Sequence, residues 1–259
     1  MGLTFDWAGV LSGAPGAWLV TGFLTTLWIT VAASLLASLL AVVLVGLRAG
    51  KSLLPRAMAI AVTEIFRNTP LLVQILFWYF VAFTALPAEW RIFISDDHPW
   101  ATLPGDVAVI SPEFLASAWG LAIFSAVYIA EEIRAGLAAV PGGQREAAIS
   151  QGFGHWATLA YVLLPQALKN AFQPVVGQYL NLMKLSSLAT AIGLAEITYQ
   201  VRQIESYNAH AFEAFAIGTA LYLGLGLVME RLSRLLAPGQ KARRRQPEQQ
   251  QQAGHASRA

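Results

Sequence analysis

The chain of 259 residues contains no cysteine. That excludes a disulfide scaffold and any cysteine-ligated metal. Charge is also scarce. Asp, Glu, Lys and Arg together make up 12% of the residues, about half the share of a soluble domain. Hydrophobic residues reach 56% and the mean hydropathy is +0.53. One soluble core of this size cannot hide so much apolar side chain, so the expectation is an all-α integral membrane protein. The four histidines (His98, His155, His210 and His255) are scattered without metal-ligand spacing. Gly152 and Gly154 form a short G-x-G, but no Lys-Ser/Thr follows, so the chain lacks a Walker A loop and its own ATP site. No Ser/His/Asp arrangement sits on a recognisable scaffold. No enzyme activity, metal, bound cofactor or nucleic acid is expected on this chain.

What is present is a series of apolar runs. Trp18 to Leu47 carries no charge, longer than the roughly 20 residues a bilayer requires. Ala33, Ala37 and Ala41 form a small-residue stripe along it, suited to close helix packing. A second span is expected between Ala57 and Leu86, with Glu64, Arg67, Asn68 and Pro70 near its start. Trp78, Tyr79 and Trp90 suit an interfacial belt at its far end. A third runs from Phe114 to Ala130 and ends in Glu131, Glu132 and Arg134. A fourth covers Ala171 to Ala195, interrupted by Lys184, and a fifth covers Ala211 to Met229. Residues 17–236 thus form the membrane domain, and 237–259 read as a disordered cytoplasmic tail, basic and then glutamine-rich.

The net charge is only +2, yet its distribution orients the chain. Arg48, Lys51 and Arg56 follow span one, Arg145 and Lys169 follow span three, and Lys241 and Arg243 to Arg245 lie in the tail. The opposite side has only Arg91 and Arg202, and it collects Asp96, Asp97, Asp106, Glu113, Glu196 and Glu205. The positive-inside rule places the N-terminus outside and the C-terminus in the cytoplasm.

The segment 141–165 then falls in the cytoplasm. Pro141-Gly142-Gly143 breaks span three. Gln144 to Gln151 is good helix sequence with Glu146 in its first turn, favourable to the helix dipole. Gly152 permits a left-handed stop, and a second helix from His155 meets Pro165. Two readings fit: an ordinary hairpin, or a docking element whose alanines admit a partner closely and whose Phe153 anchors it.

The spacing within this segment resembles the cytoplasmic signature of ABC-transporter permease subunits. Glu146-Ala147-Ala148 is followed after three residues by Gly152, after nine more by Val162 where the family has Ile, and then by Leu164-Pro165. The resemblance narrows to polar amino-acid importers in Phe66-Arg67-Asn68-Thr69-Pro70-Leu71-Leu72-Val73-Gln74. Tyr128 to Leu137, Val140 to Gln144, Met183 to Ala189 and Ile192-Gly193-Leu194 are similar to further family segments. Similarity covers Leu19 to Leu236. Leu185 departs from the Asn of the acidic amino-acid branch, whereas Arg202 to Glu205 and Phe212 to Phe215 look like the glutamate/aspartate branch.

The resemblance implies a multi-pass permease in a bacterial inner membrane, forming half of a translocation pathway. Its partners would be an ATP-binding subunit that carries ATP and Mg, a second homologous or identical permease, an extracytoplasmic amino-acid-binding protein and membrane lipid. The segment 141–165 would couple to the ATPase through Glu146, Ala147, Ala148, Gly152, Phe153, Leu164 and Pro165. Charges within spans are functional candidates. Arg67 and Lys184 could meet a substrate carboxylate, with Asn68, Ser186 and Ser187 beside them. A Glu64–Arg67 ion pair competes for Arg67, and structural pairing is the reading for Glu131 and Glu132. A secondary transporter or channel acting without an ATPase is the alternative class, and a non-transporting scaffold is a second.

Overall fold

The computed structural model describes residues 5–50 and 52–237. The tail expected at 237–259 lies, from residue 238, outside the described residues. Helix α1 (Trp7–Leu11) is capped by Asp6 and leads into α2 (Gly13–Ala49). Helix α2 is long because nothing in it opposes the helix: Pro15 falls in the first turn, where its missing N–H costs nothing, and an uncharged run follows. Leu19, Thr26, Ile29, Ala33, Ala37, Ala41 and Leu44 are buried on one stripe. From Ile29 onward they face α6 (Pro112–Ala138), whose buried positions include Leu121, Ala122, Ala126, Ile129 and Ala130, while Leu19 packs with residues further along the chain. Small residues on both helices let the backbones approach closely.

Helix α3 (Leu53–Arg67) and α4 (Leu71–Phe77) follow, α4 running on through a π-helical turn at Trp78–Ala82. The two halves meet at an angle of 105°. A short helix α5 (Ala88–Ser95) and a two-stranded hairpin, β1 (Thr102–Leu103) with β2 (Val107–Ala108), lead into α6. Ser111 caps α6 by accepting from the Phe114 N–H at 3.2 Å.

Helix α7 (Gly142–Ser150) starts just after Pro141, two residues earlier than the sequence suggests, so Gly142 and Gly143 are helical. Glu146 therefore lies beyond the first turn, and the helix-dipole argument for it does not hold. Gly152 does turn left-handed, with φ of 85°. Pro165 does not end the next helix. The chain rises helically from α8 (His155–Ala157) through a second π-turn at Thr158–Leu163 into α9 (Leu164–Leu185). The wide turn lies just where a proline would otherwise cost an i→i−4 bond. Helix α9 packs against α6, and at Gly136 the approach leaves no room for a side chain: a Cβ there would lie 2.5 Å from the Ala167 carbonyl oxygen.

Helix α9 gives way to a 3-10 segment, Ser186–Ile192, closed by Gly193 at φ of 90°. Helix α10 (Ile197–Asn208) and α11 (Ala211–Leu236) complete the fold. The stretch after span four is thus a helix rather than a loop, and it buries Ile197, Val201 and Ile204 against α2 and α11. Helices α2, α6 and α11 are each long and apolar enough to cross a membrane, and two bent pairs of helices qualify when each is taken together.

Candidate functional site

The two bent pairs define the polar interior of the molecule. Breaking a helix strands the last four carbonyls of one half and the first four N–H groups of the next. Away from water each stranded group is costly. Here the carbonyls of the first break and the N–H groups of the second find partners within the protein.

At the α3–α4 elbow the carbonyls are completed. The Glu64 carbonyl accepts from the Asn68 side-chain amide at 2.8 Å, and the Ile65 carbonyl from the Thr69 hydroxyl at 2.7 Å. The Phe66 carbonyl accepts from Gln74 Nε2 at 2.9 Å, and the Arg67 carbonyl from the Tyr128 hydroxyl at 3.4 Å. Gln74 also donates to the Thr69 carbonyl at 3.0 Å. The polar run from Arg67 to Gln74 therefore caps a helix end, a role that composition alone does not suggest.

At the second break the N–H groups are completed. The Ile197 N–H donates to the Thr26 hydroxyl at 3.2 Å; those of Thr198 and Tyr199 each donate to a Glu196 carboxylate oxygen at 3.0 Å. The Gln200 N–H donates to the Glu196 carbonyl at 3.0 Å. The Glu196 carboxylate also accepts from the hydroxyls of Thr190 and Tyr222. Glu196, read from sequence as an outer-loop charge, is fully buried. The signal that could have found it is an acidic residue directly before a helix start, the position of an N-cap.

The two breaks lie close together, because α4 packs against the 3-10 segment Ser186–Ile192. The candidate pathway residues sit on these elements. Arg67 is exposed and pairs with Glu64 at 3.3 Å, the competing ion pair foreseen from their spacing. Asn68 is held by Glu64 as described. Lys184, at the end of α9, is exposed and has no ion-pair partner among the described residues. Ser186 is buried and donates to the Met183 carbonyl at 2.7 Å, while Ser187 donates to the Lys184 carbonyl at 2.9 Å. Among the described residues no direct bond joins the Arg67 side to the Lys184 side.

The membrane-span charges next to them are structural. Glu131 pairs with Arg134 at 2.8 Å and with Arg48, tying α6 to the end of α2. Glu132 accepts from Gln178 of α9 at 3.3 Å.

The hairpin of residues 141–165 lies at this same end of the bundle, where α2 and α6 finish. Glu146, Ala147, Gly152, Phe153 and Pro165 are exposed and Leu164 is half-buried. Ala148 is buried and accepts from the Phe153 N–H at 3.1 Å, closing the turn. The hairpin is fixed to α2 by His155, whose Nε2 lies 3.2 Å from the Ala49 carbonyl oxygen. The arrangement presents Phe153 and Trp156 on a surface held by the bundle.

Residues 33–242 match the family described as binding-protein-dependent transport system inner membrane component. The chain belongs to this family. Membership makes it a translocation component of a multi-pass inner-membrane system rather than an enzyme, and implies an ATPase subunit and a substrate-binding protein as partners. Among relatives, the chain is 30% identical over 229 residues to the glutamate/aspartate import permease protein GltJ of Escherichia coli, covering 86% of this chain and 89% of that one. It is 32% identical over 239 residues to the glutamine transport system permease protein GlnP of the same organism, covering 90% and 97%. The crystal structure of an amino acid ABC transporter with histidines superposes with a TM-score of 0.73 at 29% identity, over 91% of this family member and 99% of that chain. The MetNI methionine ABC transporter, in inward-facing conformations, shares the fold at a TM-score of 0.64 and 18% identity, over 88% of this chain and all of that one.

Proposed function

We propose that the chain is the permease subunit of an ATP-driven amino-acid importer, crossing the membrane five times with its N-terminus outside and its C-terminus in the cytoplasm. It forms half of the pathway, the other half coming from a homologous permease or a second copy. The observation that carries this reading is the Glu146–Pro165 signature lying on an exposed, bundle-anchored hairpin. Arg48, Arg145 and Lys169 lie toward that hairpin, while Asp6, Asp106 and Glu113 lie toward the other end, in keeping with a cytoplasmic hairpin. An exposed short helix fixed at the base is suited to docking into a groove on an ATPase and passing on its movement.

ATP binding on the partner and delivery by the binding protein each shift the permease only through differential affinity for its two states. The named relatives import glutamate/aspartate or glutamine. A polar or acidic amino acid such as glutamate or aspartate is the substrate class we favour, on the strength of Arg202 to Glu205 and Phe212 to Phe215.

The test is a reconstituted complex of permease, ATPase and binding protein in liposomes. Substrate-stimulated ATP hydrolysis and uptake are expected together. Gly152→Val puts a β-branched residue at φ of 85°, which strains the hairpin by roughly 1–2 kcal/mol. It should lower stimulated ATPase and uptake while leaving membrane insertion intact; normal transport by this variant would remove the hairpin from the coupling path. Uptake by the chain alone, without an ATPase, would favour the secondary-transporter class instead.

A further inference from the structure

Helix α5 and the turn that follows it are out of keeping with a water-exposed loop. Helix α5 has eight residues and buries none of them. A helix so short is marginal in water, where about 12–15 residues are needed even for good helix formers. Its apolar side chains are instead displayed: Trp90 is 59% exposed, Ile92 61% and Phe93 44%, and Trp100 just beyond is 75% exposed. The formal charges on the helix are one Glu89 and one Arg91, which cancel.

The segment is nonetheless fixed in place. Ile94 shares a cleft of about 300 Å³ with Phe83 and Leu86 from the end of the α4 span and with Leu115 and Trp119 of α6. The hairpin is held to α2 by Trp28, whose indole N–H donates to the Pro104 carbonyl at 3.2 Å. At Gly105 the backbone approaches α2 so closely that a Cβ would lie 2.7 Å from Leu24. The rings of Phe93, His98 and Trp100 form a chain with centroids 4.6 and 5.5 Å apart.

We propose that residues 88–101 are an interfacial anchor whose apolar side chains insert into the boundary between headgroups and acyl chains of the bilayer. Three observations select lipid as the occupant. The segment sits where two membrane-spanning elements end. Through Ile94 it adjoins Leu115 and Trp119, which are themselves more than a third exposed on α6. Its two tryptophans with aliphatic neighbours are the composition of the aromatic belt at a membrane surface, with Asp96 and Asp97 left on the water side. The anchor would hold the ends of α4 and α6 at one depth while the rest of the bundle moves. This inference rests on the chain's being a membrane protein and not on what it transports.

The absence of cysteine makes the test direct. Spin labels are attached to Ile92→Cys and Trp100→Cys in the full chain, reconstituted in phosphatidylethanolamine–phosphatidylglycerol liposomes. Leu39→Cys on the lipid-facing side of α2 gives the hydrocarbon reference and Gln144→Cys on the exposed hairpin the aqueous one. Collision with oxygen should exceed collision with a water-soluble nickel chelate several-fold at positions 92 and 100, relative to position 144. Chelate access equal to that at 144 would overturn the anchor. So would shielding from both reagents, or shielding that appears only when a binding protein is added, since either means a protein contact. A second measurement needs no label: brominated phospholipid should quench wild-type tryptophan fluorescence more than that of the Trp90→Phe, Trp100→Phe double variant, and equal quenching would count against the proposal.

Discussion

Glu196 and Lys184 are both formal charges placed by the fold near the same break, and their surroundings separate their roles. Glu196 is fully buried and receives two hydroxyls and two backbone N–H groups. Glu196→Ala should lower stability by at least about 2 kcal/mol, since a lost N-cap costs roughly 0.5–2 kcal/mol and each buried donor left unmatched roughly 1–3. Glu196→Gln keeps one acceptor oxygen and should lose less; thermal denaturation of the purified protein in detergent ranks the three. Lys184, exposed and without an ion-pair partner, has no such structural debt. Lys184→Met should leave the melting temperature near wild type. If the amine meets a substrate carboxylate, the variant's uptake in competition assays weakens several-fold; unchanged uptake and affinity would take Lys184 out of the pathway. The sequence made Lys184 conspicuous, as a charge inside an apolar run, and made Glu196 look like one of several outer acids. Burial depends on which chain segments close over a residue, here Thr26, Thr190 and Tyr222 from three separate stretches, and a single local window does not contain that information.

At the level of elements, the long uncharged or weakly charged helices were legible because the bilayer imposes a length on them. The breaks were half legible. Pro70 and Gly193 mark them, but the partners that make a break tolerable come from elsewhere: Tyr128 from α6 for the first, and Thr26 from α2 with Tyr222 from α11 for the second. The elbow between α3 and α4 depends most on Gln74, which serves two carbonyls. Gln74→Leu preserves size and apolar packing but strands the Phe66 and Thr69 carbonyls, each at about 1–3 kcal/mol. The expected outcome is a lower melting temperature and faster hydrogen exchange at the amides of residues 68 and 74, which bond the Glu64 and Pro70 carbonyls; exchange that stays at the wild-type rate would show that the elbow is held by packing alone. Protein groups complete the carbonyl end of α3 at the first break and the N–H end of α10 at the second.

Across the whole molecule, the two ends differ in construction. At one, α1 folds back on α11, the Asp6 N–H donating to buried Glu213 at 2.8 Å and Asn208 donating to the Gly9 carbonyl at 3.0 Å. At the other, the hairpin stands on α2 and on the π-turn at Thr158–Leu163. The left-handed turn at Gly152 was legible because its determinants are contiguous in sequence, whereas the course of the chain through Pro165 was not, since a proline inside a wide turn looks locally like a proline that ends a helix. A π-turn is a helical turn carrying one surplus residue. Removing a single residue between 158 and 163 should convert it to ordinary α-helix, leaving α9 in register against α6 and preserving expression and melting temperature. Removing one from within α9, such as Leu168, rotates everything beyond it by about 100° and should abolish folding, which size-exclusion profiles of the two deletions would display side by side. The same reasoning applies at Trp78–Ala82. The protein therefore has two joints at which its chain length, rather than its shape, can be altered.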